Sequence, residues 1–426
     1  MEYQLDRGAD GRCRLDCTFS AAEVLTVWKK AAAPFSASFR MAGFRPGKAP
    51  LEVLERQFGR QIAEEATSAL VEKAVDEALR KEGVLPVTGF TYGGGNAARG
   101  VPFAFSVEFC VLPEAELPPL ETLSVKEHAP VADPVQEELF VRDILGRLGK
   151  KVSVTEGRPQ DFDVVDAEVT GKIDGHVLPG MNTGPCRMRL TPTRPGERVP
   201  DLDPIVRGLG VGESGTGSTV CPDNYPDPSL RGRDIELTVT LRGMEREELP
   251  PLTEETAQKL GFRSVEALKA SAHEQALMLS ARHVRAEARA ALVAELERME
   301  NVEVSAALAE RCRREAMRRS RQYLSPQYAS SESLKESLAL MKEEAEEKAA
   351  RKARVRVLLL GWARREGLDV AREELDRVLA ARAARQNMDV ESYRRSLALG
   401  GDVFEMRAAM LEERALDELL KKVRRG

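Results

Sequence analysis

Apolar and polar residues alternate along RCRLDCTF (12–19) and again along FAFSVEFCV (103–111), and both runs predict strands. In the second run Phe103, Phe105, Val107 and Phe109 fall on one side. In the first, Cys13 and Cys17 lie four apart and share a face. Between the two runs the period changes. Val53, Leu54, Phe58, Ile62, Ala66, Ala69, Leu70 and Val75 recur at helical spacing, which predicts an amphipathic helix from about Leu51 to Lys81. An earlier helix opens at Ser20-Ala-Ala-Glu23, where Ser20 and Glu23 can satisfy the free amides of the first turn. Pro34 is expected to end that helix or to fall just beyond it. Residues 1–112 thus read as a small α+β domain.

The pattern then shifts three times. Residues 113–150 begin PEAELPPLETLSVKEHAPVADP, whose repeated prolines exclude a continuous helix. An extended linker and a short helix from about Val135 to Leu148 are expected there. Residues 151–246 are rich in Gly, Pro and alternating apolar positions; VVDAEVTGKIDGHVL and DIELTVTLRGME read as strands, with a tight turn at Ile173-Asp-Gly175. From 247 to 426 the chain is nearly all helix, in segments of about 253–260, 264–299, 304–322, 331–366, 371–385, 389–398 and 402–424. Breaks fall at Gly261, Asn301, Pro326, Gly367 and Gly400-Gly401. No heptad runs through the whole region, so packed helices are expected rather than one coiled coil. The fold class is α+β and multidomain, with a β-rich middle and an all-α C-terminus.

Composition narrows the chemistry. The 426 residues exceed one ordinary core, and 31% are charged, with a mean hydropathy of −0.35. A net charge of −5 argues against general nucleic-acid binding, so any RNA contact needs a local patch. No apolar run of about 18 residues is present, and the N-terminus lacks a signal-peptide core, so no membrane partner and a cytoplasmic location are expected. The cysteines (13, 17, 110, 186, 221, 312) form no C-x-x-C pair and read as reduced, mostly buried thiols, with no metal expected. GVGESGTGS (210–218) lacks the Gly-Lys-Ser/Thr of a phosphate loop, so neither nucleotide nor any other cofactor is expected. His128, His176, His273 and His283 form no triad or metal set, and His273 and His283 do not share a helix face. The basic run RCRREAMRRSRQ (311–322) reads as a solvated face balanced by KEEAEEKAARKAR (342–354), with RNA contact as the alternative.

GFRPGKAP (43–50) concentrates restricted backbone and two cations between two predicted helices. Gly43 and Gly47 permit positive φ, while Pro46 and Pro50 fix it, so the loop loses little entropy on docking. Arg45 and Lys48 can reach phosphates, and an exposed Phe44 needs a partner's pocket. The alternatives are a plain helix-connecting turn and a contact with structured RNA or a ribonucleoprotein.

This stretch resembles the ribosome-docking signature of the trigger factor family, bacterial chaperones of the tunnel exit. FSVEFCVLPEAELPPLETLSV resembles the end of that family's N-terminal domain and its linker, IDGHVLPG the turn of its isomerase domain, and ELPPLTEETAQKLGF the return to its helical part. The resemblance implies a ribosome-binding domain (1–112), a linker with a short helix (113–150), an FKBP-like prolyl isomerase domain (151–246) and a SurA-like helical chaperone domain (247–426). It implies ribosome contact by Gly43, Phe44, Arg45, Pro46, Gly47 and Lys48, near the tunnel exit of the large subunit, with protein and rRNA. The family often carries a cation where this chain has Pro46, which removes one phosphate contact. The implied partners are the ribosome and nascent or unfolded chains, with a homodimer off the ribosome as a further expectation.

X-Pro rotation has a barrier of about 18–20 kcal/mol, which an aromatic-walled dry pocket lowers. Here the family's aromatic positions fall on Val169, Leu202 and Leu237, and only Tyr225 keeps an aromatic match. The resemblance thus implies peptidyl-prolyl isomerase activity, and the residues predict that it is weak or absent, the alternative being a retained domain that binds peptide or spaces the others. The alternatives are a free prolyl isomerase whose helices serve dimerisation and a ribosome- or RNA-bound structural factor without chaperone action. For chaperone action, Leu334, Leu338, Leu340, Met341, Val403, Phe404, Met406 and Met410 are expected to line apolar client surfaces. Burying a few hundred Å² at about 25 cal/mol per Å², less association costs, yields micromolar binding that exchanges fast.

Overall fold

The computed structural model describes residues 1–8, 11–38, 50–84, 86–112, 118–126, 128–173, 175–177, 183–192, 202–221, 223, 231–321, 331–398 and 402–425. In chain order the first elements are β1 (Glu2–Arg7), β2 (Arg12–Phe19), α1 (Ala21–Ser38), α2 (Leu51–Glu82), β3 (Thr91–Gly93), β4 (Phe103–Cys110) and β5 (Ser124–Val125). Next come α3 (Pro134–Leu145), β6 (Lys150–Ser153), β7 (Val164–Ile173), β8 (His176–Val177), β9 (Thr183–Arg189), α4 (Asp203–Arg207), β10 (Ser214–Val220), β11 (Asp234–Glu248) and α5 (Glu254–Lys259). The helical region holds α6 (Val265–Glu297), α7 (Ala306–Arg321), α8 (Ser331–Arg365), α9 (Arg372–Arg385), α10 (Val390–Ala398) and α11 (Asp402–Lys422), followed by β12 (Arg424–Arg425). The chain is a mixed α+β multidomain protein. By packing it forms two units: residues 1–125, 291–314 and 348–426 in one, and 126–290 with 315–347 in the other.

In the first unit, β1, β2, β4 and β3 make an antiparallel sheet in that order. Its apolar face presents Cys13, Leu15, Cys17 and Phe19 from β2 and Phe103, Phe105, Val107 and Phe109 from β4. Leu70, Val71, Ala74, Val75 and Ala78 of α2 share that core. Period-2 and period-3.6 patterns thus meet face to face, as the sequence predicts. Burial pushes the Cys17 thiol up to about 12, so it stays protonated.

The Ser20–Glu23 box forms: Ser20 N–H donates to Glu23 Oε2 at 2.9 Å, and Glu23 N–H donates to Ser20 Oγ at 3.4 Å. Pro34 does not end α1, which runs on to Ser38. The Phe35 ring packs tilted against Phe58, with centroids 5.4 Å apart, and that packing offsets the bond Pro34 cannot donate. Trp28, Ala31 and Ala32 of α1 share a buried cluster with Leu54, Ile62 and Ala66 of α2.

Gly83 ends α2 at φ 61°, with its N–H on the Leu79 carbonyl. Nothing lies within 4 Å of where a Cβ would stand. Gly83→Ala therefore isolates the left-handed backbone cost. It is expected to destabilise this unit by about 1–2 kcal/mol, with Gly83→Asn milder, in a urea titration.

The C-terminal helices close onto this sheet domain. Phe404 of α11 packs against its core, 5.6 Å from the Phe90 ring. Beside it, Glu405 accepts from Arg356 Nη1 at 2.6 Å and from the Gly89 amide at 2.6 Å, with Arg311 Nη2 at 3.5 Å. Arg356 is buried, and its Nε lies 3.7 Å from Glu412. Burial pushes the Glu412 carboxyl up, against the pull of Arg356. Trp362, fully buried, donates to Glu121 at 2.7 Å, and β12 pairs in parallel with β5.

In the second unit, β10, β11, β7 and β8 follow one another, with β6 also on β11 and β9 also on β7. Val165, Ala167, Ile235, Leu237, Val239 and Leu241 fill the core beneath α4 and the 209–211 turn. Buried Asp163 accepts from Arg246 at 2.8 and 2.6 Å. The adjacent Phe162 sits at φ 70°, and the Arg142 guanidinium of α3 covers its ring at 3.9 Å. His273 Nδ1 of α6 lies 2.7 Å from Glu137 of α3, a surface pair rather than a metal set.

Candidate functional site

Residues Ala69, Glu72, Lys73, Asp76, Glu77 and Arg80 stand on one face of α2, at helical spacing. That face is turned away from the sheet and forms one wall of a cleft of about 730 Å³. Val370, Arg372 and Leu375 at the start of α9, with Val403, Phe404 and Arg407 of α11, form the other. A second hollow of about 570 Å³, along Leu79, Val84, Pro86, Leu368 and Leu411, shares Phe404, Val370 and Arg407 with the first.

Charged side chains make up most of the lining, and Ala69, Val370, Leu375, Val403 and Phe404 are its apolar residues. Arg394 of α10 contacts Glu72 of α2 at 2.8 Å and Asp376 of α9 at 3.0 Å. Burial works against its charge, but both carboxylates hold it firmly protonated. Arg80 pairs with Asp76 at 2.5 Å, and Arg407 with Asp369 at 2.9 Å. Arg414 and the Ala371 amide hold the Glu374 carboxyl below its ordinary range. Arg394, Arg80 and Arg407 of the lining are thus each paired with a carboxylate. Such a cleft suits a peptide segment that carries both charged and apolar side chains.

The sequence singled out other residues, and the structure distributes them. Gly43, Phe44, Arg45, Pro46, Gly47 and Lys48 lie outside the described residues; α1 and α2 flank them. Tyr225 and the side chain of Leu334 also lie outside the described residues. Phe404 lines the cleft half-buried, and Val403 reaches it from the core at 5% exposure. Met410 packs partly buried against the α9–α11 cluster, and Leu338 is half-buried. Leu340 stands in the open. Met341 and Met406, expected on a client surface, are instead core residues at 2% and 7% exposure. Helical spacing marks an apolar face without saying whether another helix covers it. The α2 wall carries no apolar signal in the sequence because its cleft face is polar.

In the β-rich domain, Val169 and Leu237 are buried in the core, and Leu202 packs half-buried beside Ile205. Among the described residues that core holds no aromatic side chain. Among the described residues no group of three or more His, Cys, Asp and Glu could hold a metal. No helix among them is long and apolar enough to cross a membrane.

Two family models match this chain: "Bacterial trigger factor protein (TF)" over residues 1–139 and "Bacterial trigger factor protein (TF) C-terminus" over residues 264–421. A trigger factor of Nitratidesulfovibrio vulgaris (strain Miyazaki F) is 26% identical over 426 residues, covering 99% of this chain and 98% of the relative. One from Lawsonia intracellularis is 26% identical over 431 residues, with the same coverage. A solved structure described as "Promiscuous Substrate Recognition in Folding and Assembly Activities of the Trigger Factor Chaperone" is 20% identical, covers 99% of both chains and has a TM-score of 0.38.

Proposed function

The chain belongs to the trigger factor family of chaperones, and on that premise we propose that it is an ATP-independent chaperone that docks at the ribosome and shields emerging chains. Docking uses the 43–48 segment against protein and rRNA near the tunnel exit, which puts the protein in the cytoplasm. Arg45 and Lys48 meet phosphates there, and Phe44 fills a pocket. The observation that carries the client side is the α2 cleft. Its wall begins on the helix that directly follows the docking segment, and Val370, Leu375, Val403 and Phe404 give its opposite wall an apolar strip. Holding and release need no fuel, because a few hundred Å² of apolar contact leaves only micromolar net affinity. The β-rich domain acts as an auxiliary arm whose isomerase activity is weak. The rival, a free prolyl isomerase, needs aromatic pocket walls that the described core lacks.

Ribosome co-sedimentation at low salt tests docking. Phe44→Ala/Arg45→Ala is expected to weaken binding about tenfold or more, which corresponds to ~1.4 kcal/mol or above. The same variant should still suppress aggregation of a refolding client in the absence of ribosomes. Unchanged co-sedimentation would reject the docking role, and loss of suppression would reject a separate client surface.

A further inference from the structure

β10 reads SGTGSTV, and its composition has a local cause. A Cβ on Gly217 would meet Ile205 Cδ1 at 2.5 Å, and one on Gly215 would meet Leu209 Cδ2 at 3.0 Å. Glycine at those two positions lets α4 lie directly on the strand. The alternate residues, Ser214, Thr216, Ser218 and Val220, are exposed on the other face.

The same alternation decides where the backbone points. Cys221 N–H donates to the Arg233 carbonyl and Leu241 N–H donates to the Glu213 carbonyl. Odd-numbered residues therefore bond toward β11, and in an antiparallel ladder the even ones turn their amides and carbonyls away from it. Among the described residues β11 is the only strand paired with β10, so the outward row faces no strand.

Natural edges are blunted by charge, proline, a bulge or shortness. β6 lies on the same side of β11, and it carries Lys150 and Lys151 within four residues. β10 has seven residues, no charge, no proline and an unshifted register from Ser214 to Val220. Val220 at its end is 55% exposed.

We infer that the outer edge of β10 is a binding site for an extended segment of unfolded polypeptide, which it takes up as an added strand. Seven residues span about 24 Å. One added strand buries a few hundred Å² per partner, below the roughly 800 Å² per partner of a stable interface. That area fits a transient peptide and is too small for a second copy of this chain. Backbone bonds read no sequence, so the site accepts varied clients and favours β-branched ones. The inference deepens the chaperone reading, in that the partner is the same class, but it sits in the β-rich domain and needs no proline.

The test uses the full chain and a fluorescein-labelled peptide of about eight alternating threonines and valines, followed by anisotropy. Wild type is expected to bind. Thr216→Lys/Ser218→Lys should weaken binding about tenfold or more, and so should Thr216→Pro, which removes an outward donor and no bond to β11. Thr238→Lys, one strand inward, should bind as wild type does. No binding by wild type, or equal binding by the edge variants, would overturn the inference. So would a wild-type dimer in sedimentation that Thr216→Lys/Ser218→Lys dissociates. Failure of wild type to suppress client aggregation while it still binds the peptide would reject the chaperone reading and leave the edge site standing.

Discussion

Glu405→Ala is expected to lower the stability of the first unit by about 3–5 kcal/mol, the usual cost of stranding a buried charge. Arg356 is 3% exposed and gives its short bond to Glu405. The remaining carboxylate, Glu412, is 3.7 Å from the guanidinium and is itself pushed up by burial, so it replaces Glu405 poorly. The variant also leaves the Gly89 amide without its acceptor, a further cost of about 1–3 kcal/mol if no water enters. The two tryptophans, Trp28 and Trp362, are both buried in this unit, so their fluorescence follows its unfolding in urea. Glu405→Gln keeps an acceptor for Gly89 and should fall between wild type and alanine. A loss below about 1 kcal/mol for Glu405→Ala would mean that water or Glu412 supports Arg356, and that the joint between sheet and helices is apolar, through Phe90 and Phe404.

Local patterns made much of this unit legible, and the joint escaped them. The spacing from Val53 to Val75 specifies α2 because one face of that helix meets a sheet, and the alternation in β2 and β4 specifies the opposing face. The Ser20–Glu23 box is readable because both partners lie within one turn. Glu405, Arg356 and Gly89 are far apart in sequence, each is unremarkable in its own segment, and only the closure of α11 onto the sheet domain brings them together. The short pairing of β12 with β5 has the same character. The sequence does not mark β10 as a strand because its inward residues are Gly215, Gly217 and Thr219, which leave no apolar alternation to detect. Pro34 misled for the opposite reason: a strong local rule was outweighed by the Phe35–Phe58 contact one residue later.

Prolyl isomerisation by this protein is expected to run about 10- to 1,000-fold slower than in an isomerase of this fold with aromatic walls. Each aromatic contact contributes about 0.5–1.5 kcal/mol beyond its area. Three such positions here are Val169, Leu202 and Leu237, so roughly 1.5–4.5 kcal/mol of transition-state stabilisation is missing, at 1.36 kcal/mol per decade of rate. The positions differ in what they can accept. Val169 and Leu237 are 8% and 1% exposed, so a ring placed there overpacks the core at about 1–3 kcal/mol of stability. Leu202 is half-buried at the start of α4, so a larger ring there displaces less of the core. Leu202→Trp should therefore raise the rate about 3- to 10-fold without loss of fold, whereas Val169→Phe and Leu237→Phe should lower the unfolding midpoint and leave the rate low. Catalysis of a proline-limited refolding reaction measures all four proteins. A wild-type rate equal to that of an aromatic-lined isomerase would show that leucine and valine walls suffice to favour the twisted amide, and the argument from ring faces would then fail.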